Sequence, residues 1–260
     1  MTTLPLTVAP IGRLLLFAGK VPTEAAMCAA VERMRAGLPA AQDARIDALS
    51  QRFRGAVDAF PLSGPRPDPR LAVGVEEQAV LRRATAGIAV TGVSDATFDG
   101  WVPLLAVSRA LAAAFDAVEM DLLTGAVRSI DERFQPVEPV RLSDVHRTAT
   151  WEDGGPTWGA TTFGLANLGL PEIWFDGLPP GELVPARTAL LALGEGLVAQ
   201  AAAALRAGKR TLKVGPIDVP ELGPVTLRKC PAAHGEPALR ANVRRQPHTP
   251  LGRHLVSATA

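Results

Sequence analysis

The apolar positions switch between a helical and an extended period along the chain, and each switch outlines an element. Apolar residues crowd together from Arg13 to Lys20 without the gaps of an amphipathic helix, which predicts a buried strand. Thr23 then offers an N-cap for a helix over roughly Glu24 to Ala36, ended by Gly37 with Pro39 beyond. Ile46, Leu49, Phe53 and Val57 recur at three- and four-residue spacing, predicting an amphipathic helix from about Ala41 to Phe60 that rests on a sheet. Pro61, Pro65, Pro67 and Pro69, with Gly64, suit neither a helix nor a ladder, so residues 61–69 read as an exposed connection and a candidate boundary. Leu71 to Val75 and Ala86 to Val93 read as buried strands. After Asp99, the stripe Trp101, Leu104, Leu105, Leu111 and Phe115 marks a long helix with Pro103 in its first turn.

Between Val118 and Ile130 the pattern becomes a hairpin around Thr124-Gly125, with Val118, Met120 and Leu122 facing inward and Glu119 and Asp121 facing water. Strand-like patches follow at Val140 to Val145 and Thr148 to Trp151, and the turn Asp153-Gly154-Gly155-Pro156 leads into Thr157 to Phe175. A third long helix covers about Glu182 to Ala207 and stops at Gly208, and two or three strands occupy Thr211 to Val243. Helices and strands are interspersed, with a hairpin in the middle and strands at the end. The expected fold is therefore α+β: a mixed, largely antiparallel sheet with three or four long amphipathic helices packed on it. The expected organisation is one domain over 1–260, with a two-lobed division into 1–62 and 70–245 as the alternative and residues 246–260 as a basic tail.

Composition narrows the partners. Hydrophobic residues make up 47% of the 260 and charged residues 20%, the mixture of a folded globular chain. The 27 Lys and Arg offset 26 Asp and Glu to a net charge of +1, so the field that nucleic-acid binders carry is missing, and only the basic tail offers nucleic acid a foothold. Cys28 and Cys230 lie far apart and make no disulfide framework. The first residues lack the basic start of a secretory signal, and Glu195 and Gln200 interrupt the richest apolar window. The expectation is a cytoplasmic protein with no membrane span.

No phosphate-binding loop, dinucleotide fingerprint, nucleophile elbow or metalloprotease helix occurs, and no cofactor is expected. The histidines are His146, His234, His248 and His254. Cys230 and His234 are the nearest approach to metal-ligand spacing, two where about three or four are needed, so no metal site is assigned. Glu119 and Asp121 share a strand face and form a carboxylate pair in principle, although alternation of acidic and apolar residues is what a half-exposed strand shows anyway. Asp144 beside His146 pairs a carboxylate with an imidazole, without a nucleophile nearby in sequence. The segment from Pro237 to Ala260 carries no acidic residue but holds Arg240, Arg244, Arg245 and Arg253, a surface suited to an acidic partner.

The most distinctive stretch runs Thr162-Phe163-Gly164-Leu165-Ala166-Asn167-Leu168-Gly169-Leu170-Pro171-Glu172-Ile173, followed by Gly177-Leu178-Pro179. It resembles a motif of uncharacterised bacterial domain families, in which a Thr-x-Gly-Leu signature runs into Leu-Gly-x-Pro-Glu and then Gly-x-Pro. The resemblance implies no activity, and Phe163 stands where those families carry a polar or histidine residue. Gly164, Gly169 and Gly177 supply permissive backbone, and Pro171 marks a bulge, corner or edge. Glu172 follows that corner and is aimed by it, either into a pocket or at neighbouring backbone N–H groups. Trp151, Trp158 and Trp174 lie within 24 residues, as core or as a binding surface. Two expectations result. One is a non-enzymatic interaction, accessory or immunity-type factor that binds a protein through the Trp-rich region or the tail residues Arg244, Arg245 and Arg253. The other is a hydrolase-like enzyme using Glu172, Asp144 and His146.

Overall fold

The computed structural model describes residues 2–36, 60–61, 75–122, 125, 127, 140–152, 156–231 and 237–243. In chain order the elements begin with strands β1 (Thr2–Pro5) and β2 (Ala9–Phe17) and helix α1 (Glu24–Arg35). They continue with β3 (Phe60–Pro61), α2 (Val75–Arg83), β4 (Ala86–Ser94), α3 (Trp101–Phe115) and β5 (Val118–Asp121). The short helix α4 (Leu142–Val145) precedes β6 (Arg147–Glu152), β7 (Trp158–Phe163) and β8 (Glu172–Leu178). Helix α5 (Leu183–Arg206) is followed by β9 (Thr211–Val214), β10 (Ile217–Val219), β11 (Gly223–Pro231) and β12 (Pro237–Val243). The fold is α+β: helices are interspersed with mainly antiparallel strands, and β8 with β12 is a parallel exception.

The chain divides into two compact units, one made of Met1–Ala9, Asp95–Thr97 and Arg141–Ala260, the other of Pro10–Ser94 and Phe98–Val140. The second unit holds a four-stranded sheet in the order β3-β4-β2-β5. On one of its faces Leu14, Leu16, Val118 and Met120 pack with Leu81 and Ala84 of α2 and the following loop. Helix α3 packs on β4, β5 and α1, and buries Trp101, Leu104, Leu105 and Leu111 completely. Its apolar stripe is the one expected, and its C-terminus closes on Asp116 in the left-handed region. Thr23 caps α1 as expected, accepting a hydrogen bond from the Ala26 N–H at 3.3 Å.

The first unit is built on a six-stranded sheet in the order β10-β11-β12-β8-β7-β6, with β1 and β9 forming a separate two-stranded sheet. Helix α5 packs against β6, β7, β8, β9 and β10. Ala186, Leu190, Leu193, Leu197 and Ala201 recur on its inward face and are fully buried. Gly196 allows a close approach, since a Cβ there would lie 2.3 Å from an Ile217 methyl. The stretch Pro180–Arg206 is long and apolar enough to cross a membrane by length and composition, because Glu195 and Gln200 do not bring its mean hydropathy down far enough. Half of its most apolar 18-residue window is buried within the fold.

Three expectations need correction. Val140 to Val145 is not a strand: Leu142–Val145 is a single helical turn that buries Leu142 and Val145. Val75 is not in a buried strand but opens α2, 85% exposed, and that helix has no counterpart among the expected elements. Glu119 and Asp121 do not face water; they are 1% and 3% exposed, because both faces of β5 are covered. The hairpin expected around Thr124-Gly125 leaves an antiparallel bridge between Met120 and Val127. The helix expected over residues 41–60, the connection at 61–69, the strand at 71–75 and the tail at 246–260 fall mainly or wholly outside the described residues. Phe60 and Pro61, however, are neither helix nor free connection: they form β3, in register with Gly87 and Ala86 at an edge of the sheet, where the donor that Pro61 lacks can face away from β4.

Candidate functional site

The motif at Thr162 to Glu172 folds into a closed hydrogen-bonded turn. Strand β7 ends at Phe163, the chain makes one 3-10 turn over Ala166–Leu168, and Gly169 reverses it with φ +70°. Gly164 takes φ +108°, and a Cβ on it would lie 2.1 Å from the Val145 carbonyl oxygen, so only glycine fits. Glu172 stands at the start of β8 with its carboxylate turned back over the turn. Oε1 accepts hydrogen bonds from the N–H groups of Gly164 and Ala166, both at 3.0 Å, and Oε2 accepts from the Thr162 hydroxyl at 2.6 Å. Thr162 Oγ1 in turn accepts from the Ile173 N–H at 2.8 Å, tying β7 to β8 where their ladder has ended. Burial pushes the Glu172 carboxyl up to about 7, against the opposing pull of the Thr162 hydroxyl and the Ala166, Gly164 and Leu165 amides.

His146 follows α4 and is 2% exposed. Its imidazole packs against α5 where Gly194 leaves room, a Cβ there lying 3.6 Å from Nε2. Gly164 sits against the His146 backbone, so His146 and Glu172 approach the same turn from two sides. Asp144 lies two residues earlier, in α4, its side chain outside the described positions. The Glu172 carboxylate is committed to Thr162 and the turn amides. Of the expected acid–base residues, His146 adjoins this turn through its backbone and Glu172 through its carboxylate, which holds the Thr162 hydroxyl.

Of the aromatic candidates, Trp151 is on β6 opposite Gly159, Trp158 opens β7 opposite Glu152, and Trp174 is on β8. Trp158 and Trp174 are half-buried, unlike Trp101, whose ring is wholly within the core. Ile173 and Phe175 are buried on one face of β8, so alternation puts Trp174 and Asp176 on the other. Trp174 is in register with Thr161 on β7 and Arg240 on β12, and Arg240 with Arg228 on β11. Arg240 Nη2 donates to Asp176 Oδ1 at 2.7 Å, forming a half-exposed ion pair beside the indole. Arg244, Arg245 and Arg253 lie outside the described residues. Burial raises the thiol pKa of Cys230, while His234 is not described. Among the described residues no three His, Cys, Asp or Glu side chains gather as a metal site.

A second polar cluster, in the other unit, joins the expected carboxylates Glu119 and Asp121 to two arginines that the sequence does not connect with them. Arg13 on β2 is in register with Asp121 on β5, and Leu15 with Glu119. The Arg13 guanidinium pairs with Asp121 through Nη1, and its Nε lies 3.0 Å from Glu119 Oε1, close enough for an ion pair but misaligned for a hydrogen bond. Arg109 of α3 contacts the other oxygen of Glu119 at 2.7 Å, and the Ser108 hydroxyl donates to Oε1 at 3.2 Å. The Trp101 ring lies under the guanidinium, 4.7 Å from centroid to Cζ. Among the described residues Arg13 and Arg109 thus face Glu119 and Asp121, with Arg13, Glu119 and Asp121 each at most 3% exposed. The signal for it was a single arginine inside the apolar run Ile11 to Phe17, whose charge needs a buried partner.

With this geometry in view, comparison with known proteins adds no relative: no family model, no curated protein and no solved structure matches the chain.

Proposed function

We propose that the protein is a non-enzymatic interaction factor that binds a protein partner through the face of the six-stranded sheet opposite α5. The carrying observation is Trp174, half-buried beside the Arg240–Asp176 ion pair and in register with Arg240, with exposed Arg228 on the next strand. Tryptophan and arginine are the residue types that dominate binding energy at protein interfaces. An accessory or immunity-type role in a bacterial cytoplasm accords with that surface and with the missing catalytic signatures.

The test is affinity isolation from source cells at physiological and high salt, comparing the native chain with Trp174→Ala. A stoichiometric partner recovered by the native chain and lost by a variant that keeps its far-ultraviolet spectrum and melting temperature supports the reading. Equal recovery by both chains, or recovery of neither, counts against it. A second reading is favoured by one observation: a carboxyl held near neutrality at Glu172, hydrogen-bonded to the Thr162 hydroxyl, is poised for proton transfer. In that hydrolase-like reading Glu172 and His146 act with Asp144, and activity would be abolished in Glu172→Gln.

A further inference from the structure

Strand β9 pairs only with β1 among the described residues. Their antiparallel register sets Thr2 opposite Val214, Leu4 opposite Leu212 and Pro5 opposite Thr211. Just beyond, the Leu6 N–H donates to the Arg210 carbonyl at 2.9 Å. Hydrogen-bonded and non-hydrogen-bonded pairs alternate in such a ladder, so Arg210, Leu212 and Val214 turn their backbone groups toward β1. Thr211 and Lys213 turn theirs away from it. Pro5 fits that phase, since the donor it lacks would also have pointed outward. No other hydrogen bond reaches the backbone of Thr211 or Lys213 among the described residues.

Those two residues line an open cleft of about 570 Å³ between β9 and the last turns of α5, with Ala203, Ala204 and Leu212 as its apolar part and Gln200 at one end. Gln200 is held there, its Oε1 accepting from the Gly215 N–H at 2.9 Å. Around the cleft, Arg206, Lys209, Arg210 and Lys213 are all exposed, and no acidic residue occurs from Leu205 to Ile217. None of the four cationic side chains has an ion pair or hydrogen bond among the described residues.

We propose that the outward edge of β9 takes up an extended acidic segment of a partner protein as an added strand, with its carboxylates set against Arg206, Lys209, Arg210 and Lys213. The edge offers both N–H donors and C=O acceptors. A polypeptide strand complements both, whereas a phosphodiester backbone supplies acceptors alone. The cations also disfavour pairing of this edge with the same edge of a second copy, since like charges would then face each other. This surface is separate from Trp174 and its neighbours, so either proposal can fail without the other.

The experiment titrates the isotope-labelled full chain with an end-blocked peptide of alternating Glu and Val, followed by amide spectra. The Lys–Val peptide, polyuridylate and phosphatidylserine vesicles serve as comparison ligands. Saturable shifts at the Thr211 and Lys213 amides with the acidic peptide alone are expected, weakening about tenfold in Lys209→Glu/Lys213→Glu. Thr211→Pro removes one outward N–H while keeping every cation, and it should abolish the shift at Lys213. Absence of shifts with the acidic peptide, equal shifts with polyuridylate or vesicles, or full binding by a folded Thr211→Pro chain would each overturn the proposal, the last by reducing it to plain charge attraction.

Discussion

Glu172 holds two opposing demands on one carboxyl. Its amide and hydroxyl donors favour the anion, while the enclosure that aims them favours the proton, and enclosure prevails, giving a value of about 7 in place of 4.5. The folded state therefore binds the proton more tightly than the unfolded chain. The stabilisation from that proton is complete below about 4.5 and is lost as pH rises through about 7. Glu172→Gln imitates the protonated form: its Oε1 still accepts from Gly164 and Ala166, and its amide nitrogen donates to Thr162 Oγ1. The variant should lose the pH dependence of stability across that window and gain up to roughly 3 kcal/mol near pH 8, by urea denaturation at a series of pH values. An unchanged slope would place the titration on another group. This residue was legible in the sequence because its partners lie within ten positions of it, where a Thr, a Gly and a Pro constrain the local path. Arg13 and Asp121 are 108 positions apart, and no short-range pattern pairs them.

At the scale of elements, the same contrast decides which expectations held. Helices α1, α3 and α5 and strand β2 carry their own apolar pattern, and α1 its Thr23 cap, so the sequence outlines them to within a few residues. Strand β5 reads as half-exposed because Glu and Asp alternate with Val and Met, yet a neighbouring strand supplies an arginine and α3 covers the face. Alternation in polarity thus misreported alternation in exposure. Such a buried charge set contributes less to stability than to choosing one arrangement, since a slip of β5 by one residue would place Arg13 opposite Met120 or Leu122 and strand both carboxylates. Arg13→Met alone should cost about 3–5 kcal/mol in unfolding free energy, by removing the guanidinium that the buried Glu119 and Asp121 share. Combining it with Asp121→Leu removes both members of the Arg13–Asp121 pair and keeps the Arg109–Glu119 pair, and the double variant should recover most of that loss. A double variant as unstable as the single one would show that Arg13 acts through packing on Trp101.

For the whole molecule, the sequence does not disclose that one unit is assembled from three separated segments, because nothing local marks a strand that waits for a partner far along the chain. Leu4, only 3% exposed, is the main apolar anchor of β1. Leu4→Ala should destabilise the unit by roughly 2–4 kcal/mol. It should also hasten amide exchange at Leu212 and Val214 while leaving Leu14 and Leu16 protected, and hydrogen exchange resolved by residue will read both. Uniform loss of protection across both sheets would mean that the two units unfold as one. The pairing of Thr2 with Val214 also sets an order in time. Translation at about 5–20 residues per second delivers β9 on the order of ten to forty seconds after β1 leaves the ribosome. During that interval the intervening unit has all of its described strands, so vectorial synthesis favours its folding first, with β1 tethered and unpaired until Thr211–Val214 has been made.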